Sequence, residues 1–87
     1  MSPELEMLDQ LLAGGMPLVV IRGLFDDGER FQRAAMAMLH AREVRLLVDG
    51  VEPPRWRWAE ILTAAHDQED SAGAWFEITE AGARRIV

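Results

Sequence analysis

The sequence predicts an α+β domain, a three-helix unit followed by a two- or three-stranded antiparallel sheet with an extended connection between its strands. Three observations carry this. Phe31, Ala34, Ala35, Met38 and Leu39 repeat at helical spacing. Glu43-Val44-Arg45-Leu46-Leu47-Val48 and Trp75-Phe76-Glu77-Ile78-Thr79 are short β-prone runs. Between them lie Pro53-Pro54 and the polar run His66 to Gly73, which interrupt any continuous periodic element. The 87 residues fit one domain, residues 1–87, with no internal repeat.

The first helix runs from Pro3 to Ala13. Leu5, Leu8 and Leu12, with Met7 and Leu11, form an apolar stripe. Ser2 is placed to cap it, Pro3 suits its first position, and Gly14-Gly15 stops it. Residues 16–25 carry two readings. Val19-Val20-Ile21 has strand propensity, whereas a short helix after Pro17 puts Leu18, Ile21 and Phe25 on one face. The helix reading completes a three-helix unit. Asp26-Asp27-Gly28 is a turn, and Asp27 caps the helix Gly28 to Ala41.

The strand 43–48 closes on Asp49-Gly50. Glu52-Pro53-Pro54 is extended, Arg55-Trp56-Arg57-Trp58 alternates cation and ring, and Ala59 to Ala65 has room for one or two helical turns. His66 to Gly73 reads as a mobile loop. The second strand, 75–79, pairs with 43–48 as a hairpin. Thr79 then caps a last short helix with Glu80 in its first turn and Arg84 and Arg85 in its last. The expected core is Phe31, Ala35, Met38 and Leu39 with Leu8, Leu12, Ile21, Leu46 and Ile78.

Composition excludes several function classes. There is no cysteine, hence no disulfide, thiolate metal site or Cys nucleophile. The longest apolar runs fall far short of a membrane span, and the N-terminus carries acids where a signal peptide needs bases, so a cytoplasmic protein without a membrane partner is expected. Net charge is −6, and every basic residue is Arg. The acidity sits at the two ends. Residues 22–58 hold seven Arg against six acids, a net +1, while both flanks are negative. An autonomous duplex binder draws most non-specific affinity from phosphate neutralisation, so the overall balance argues against that role.

Two segments resemble a known family. Leu39-His40-Ala41-Arg42-Glu43-Val44-Arg45-Leu46 resembles the end of a recognition helix entering the first wing strand of a winged helix-turn-helix protein. Ile78-Thr79-Glu80-Ala81-Gly82 resembles the Leu/Ile-Thr-Glu-Ala-Gly that follows the second wing strand in bacterial winged-helix regulators. Arg42 or Glu43 stands where that family carries Gly, and the connection from Gly50 to Ala74 is longer than a simple wing. The resemblance implies a winged-helix fold and a non-enzymatic role in DNA binding and transcription regulation. It implies that residues 28–41 enter a major groove, with Arg30, Gln32, Arg33 and His40 as contacts, and that Arg55 and Arg57 sit on the wing near phosphates. A homodimer is compatible with it.

Each candidate has a plainer reading. Arg30, Arg33 and His40 also fit a solvated helix face with local ion pairs. Trp56 and Trp58 fit either a binding hot spot, with Arg55 and Arg57 beside them, or the closing of a small core. The second functional reading is accordingly a protein-interaction module or small accessory subunit that uses residues 55–58. His40 and His66 have no third ligand at metal-site spacing, and Ser2 and Ser71 offer no nucleophilic set, so neither a metal, a cofactor nor a catalytic residue is expected.

Overall fold

The computed structural model describes residues 2–86. Ser2 accepts the Leu5 N–H and starts α1, Pro3–Leu12. The chain then forms a two-residue strand β1, Met16–Pro17, and a short helix α2, Leu18–Arg22. Asp27 accepts the Arg30 N–H at 2.7 Å and starts α3, Gly28–His40. β2, Val44–Val48, follows, then a 3-10 turn at Arg55–Arg57, α4 at Trp58–Thr63, and a second 3-10 turn at Ala64–His66. β3, Ala74–Ile78, and α5, Glu80–Ile86, complete the chain.

The sheet is antiparallel with strand order β1-β3-β2. The expected hairpin is present, its register running from Val44 opposite Ile78 to Val48 opposite Ala74. β1 joins the far side of β3, Met16 opposite Phe76. Of the two readings of residues 16–25, the short helix after Pro17 is the one found; Val19-Val20-Ile21 is helical, and the strand is confined to Met16–Pro17, which neither reading placed. Pro17 lacks an N–H and has φ −60°, so it ends the strand and serves as the N-cap of α2.

The core sits between the helices and one face of the sheet. Phe31 is fully buried and meets Phe25 and Phe76 edge-on, at ring-centroid distances of 5.5 and 6.4 Å. Met7, Leu8 and Leu11 of α1, Leu18 and Ile21 of α2, and Leu46 of β2 are buried around it. Two expected core residues depart from this. Leu12 is 44% exposed, because the buried stripe of α1 is centred on Met7, Leu8 and Leu11 and leaves Leu5 and Leu12 on its margins. Ile78 is half-buried at the end of its strand and packs against the core from its edge.

The segment His66–Gly73 is not an open loop. Asp67 accepts the N–H groups of Glu69 and Asp70 on one carboxylate oxygen, and its carbonyl accepts both the N–H and the hydroxyl of Ser71. Ser71, expected at a flexible position, is buried by this turn.

Candidate functional site

The fold gathers three of the sequence-derived candidates, His40, Arg55 and Trp58, and places others apart from them. Arg30 reaches back to α1 and donates two hydrogen bonds to Glu4, at 3.1 and 3.2 Å. The hydrogen bond from Arg30 holds the Glu4 carboxyl below its usual value, and the same contact holds the Arg30 guanidinium above its own. Gln32 donates to the Thr63 hydroxyl and to the Ala59 carbonyl, so α4 lies along its side of α3. His40 meets Trp58 edge-on at 5.2 Å. Arg33 is exposed and makes no hydrogen bond or ion pair among the described residues.

Residues 55–58 also separate. Trp56 is 77% exposed on the 3-10 turn. Trp58, two residues on, is half-buried against the core. Its ring meets His40 and also Arg55, whose guanidinium carbon is 5.8 Å from the ring centroid. Arg57 lies 3.9 Å from Glu60 on the next turn, an exposed contact of little energetic weight. Arg33, Arg55 and Arg57 border three different depressions.

The best-formed depression lies beside β2, at the C-terminal end of α3. It encloses about 320 Å³. Leu39, Val44, Leu46, Pro53 and Trp58 supply its apolar surface, while Arg42, Arg45 and Arg55 supply cations. Glu52 is the one acid on its wall, 3.9 Å from Arg45 in an exposed pair. Three of the nine arginines thus converge on an otherwise acidic molecule.

Arg42 has an unusual backbone. α3 ends in a Schellman arrangement, with the Arg42 N–H on the Leu39 carbonyl at 3.1 Å and the Glu43 N–H on the Met38 carbonyl at 2.9 Å. Arg42 occupies the left-handed position with φ 59°, where glycine is the unstrained choice. The sequence reading missed Arg42 and Arg45 as site residues. Two signals pointed to them: the absence of Gly after α3, and the alternation of β2 that turns Arg45 outward between the buried Val44 and Leu46.

Among the described residues, no group of three or more His, Asp or Glu side chains is placed to hold a metal ion, and no helix is long and apolar enough to cross a membrane. Comparison with protein-family models, curated proteins and solved structures found no match.

Proposed function

We propose that this chain is a non-enzymatic winged-helix domain that binds a protein partner. The winged-helix part is supported by the order α1-β1-α2-α3-β2-α4-β3-α5, in which α4 is an addition between the two wing strands, and by the sheet order β1-β3-β2. It is supported also by the Thr79-Glu80-Ala81-Gly82 segment directly after β3. The protein-partner part rests on one observation. The connection between β2 and β3 folds back as α4 and lies along α3, on the helix that a DNA-binding relative would present to the major groove. Gln32 and His40 are engaged by α4, and Arg30 is engaged by Glu4. Of the four expected base contacts, Arg33 alone keeps an unengaged side chain among the described residues. A net charge of −6 adds a repulsive field toward phosphate.

The arginines beside β2 favour a second reading, a phosphate-binding surface in a transcription regulator. The two readings separate in a titration of mixed-sequence duplex DNA at two salt concentrations. The protein-partner reading expects no salt-sensitive binding and no effect of Arg33→Ala. Binding that weakens steeply with salt, with a slope reduced by about 0.9 for each arginine–phosphate contact removed, returns the DNA reading.

A further inference from the structure

We propose that the depression beside β2 is a binding site for a small organic acid with two oxyanion groups, carboxylate or phosphate. This goes beyond the protein-partner reading and does not depend on it. The chain builds the site from its own segments. The end of α3 and β2 form one side, and the return from Glu52 through Pro53 to Trp58 forms the other. At about 320 Å³ the space lies at the lower end of the range for small-ligand pockets. Leu39, Val44 and Leu46 close its floor and are at most 4% exposed. The surface left to a ligand therefore comes from Pro53, Trp58 and the arginines.

The arginines here differ from those elsewhere. Acids outnumber bases in this chain, fifteen to nine. Arg30, Arg45, Arg57, Arg84 and Arg85 each pair with a carboxylate, and Arg22 donates to the Phe25 carbonyl. Arg33, Arg42 and Arg55 have no acid partner among the described residues. Two of these three, Arg42 and Arg55, line the same depression. Arg45 joins them, and its 3.9 Å contact with the exposed Glu52 is long enough to yield to a better-placed anion. With Glu52 as the one acid, the lining carries a net +2 on a molecule of net charge −6. A ligand with two oxyanion groups balances that excess, and a monoanion balances half of it. Guanidinium groups hold carboxylate or phosphate oxygens through charge-assisted hydrogen bonds.

Two of the cations are held in place before any ligand arrives. The Arg55 guanidinium lies over the Trp58 ring, within cation–π reach, and His40 meets the same ring edge-on. A guanidinium resting on a ring still has its N–H groups to donate in its own plane, and it loses less freedom on binding. Arg42 is set by its left-handed backbone, φ 59°, where glycine would be unstrained but would carry no charge. Pro53 and Trp58 add apolar contact that a carbon frame can use and an inorganic ion cannot.

The test is an NMR titration of the isotope-labelled domain at constant ionic strength. The probes are glutarate, with two carboxylates, and phosphoglycolate, with one carboxylate and one phosphate. Valerate and inorganic phosphate are the controls. Glutarate or phosphoglycolate should give saturable shifts at the Trp58 indole and the amides of residues 42–46. It should bind about tenfold or more tightly than either control, and the tighter of the two probes assigns the second oxyanion. Arg55→Gln and Arg42→Gly should each weaken binding about tenfold, with thermal midpoints no lower than that of the parent chain. Arg33→Ala, an exposed arginine outside the depression, should leave binding unchanged. The proposal is overturned if neither probe gives saturable shifts, if a control binds as tightly as the probes, or if Arg33→Ala weakens binding as much as Arg55→Gln. Duplex DNA that displaces the bound probe, and does so less well as salt rises, replaces the small-ligand assignment with the phosphate-binding surface.

Discussion

Thr79 donates its hydroxyl to the carbonyl of Arg42, 37 residues earlier in the chain, at 2.5 Å. The same oxygen accepts the Gly82 N–H at 3.2 Å, and the Thr79 N–H donates to the Glu43 carbonyl at 3.0 Å. One residue therefore starts α5, closes the β2–β3 hairpin and fixes the end of α3. The threonine of the resemblance motif has a structural task of its own. Thr79→Val keeps the shape and removes the hydroxyl bonds. It should cost about 1–2 kcal/mol in urea denaturation. A loss below a few tenths would mean that the hydroxyl contributes nothing.

Arg42 pays a conformational cost that a glycine would avoid. Arg42→Gly should raise stability by about 0.5–1 kcal/mol, the left-handed penalty relieved less the extra freedom of glycine in the unfolded chain. A destabilised variant would show that the Arg42 side chain holds the fold.

Gly82 permits a close approach. A Cβ there would run into the Glu43 carbonyl and come within 2.9 Å of Ile78 Cγ1. Gly82→Ala must push α5 off the start of β2, and a loss of about 1–3 kcal/mol is expected from such overpacking. The amides of Glu43 and Thr79 should report the displacement in an NMR spectrum. An alanine variant with wild-type stability and spectrum would contradict this packing.

Phe31 of α3 links Phe25, which follows α2, to Phe76 of β3 across the core. Phe31→Ala should cost about 3–5 kcal/mol. For a domain whose total stability is about 5–10 kcal/mol, that is close to unfolding. Thermal melts of the two proteins decide it, and equal midpoints would refute the burial.

The Glu4–Arg30 pair predicts a pH dependence. Its carboxyl is held below the ordinary value of 4.5, so its contribution is complete above that pH in the folded chain and fades as pH falls through the lowered value. Glu4→Gln should therefore lower the melting temperature slightly at neutral pH and leave it nearly unchanged in strong acid. The pair is partly exposed, so added salt should shrink the difference. A melting difference that stays constant from neutral pH into acid would exclude the ion pair as its source.

Much of the local structure was legible because it is encoded locally. The caps at Ser2 and Asp27 and the stripe of α3 follow from residues within one or two turns of each other. The hairpin was legible because both strands carry β-prone residues at compatible lengths. β1 was not legible, since two residues show no alternation, and Met16 pairs only because Phe76 is there to receive it. Leu12 looked like core because spacing defines a stripe but not its centre. The candidate arginines were chosen by helix face and by proximity in sequence, and the structure brings together Arg42, Arg45 and Arg55 instead.

The sequence by itself determined α1, α3, α5 and the β2–β3 hairpin, the caps at Ser2, Asp27 and Thr79, the absence of thiol chemistry, and a charge balance that is acidic at both ends. Only the tertiary structure decided that α4 lies along α3, that Trp58 meets His40 and Arg55 while Trp56 stands exposed, and that Arg42, Arg45 and Arg55 line one depression beside β2. The physical reason is range. Periodicity and capping are interactions between near neighbours and leave a pattern in the chain. The path of the connection from Asp49 to Gly73 is set by contacts with α3 and β2 that lie tens of residues away, and no spacing in the sequence records which of them will meet.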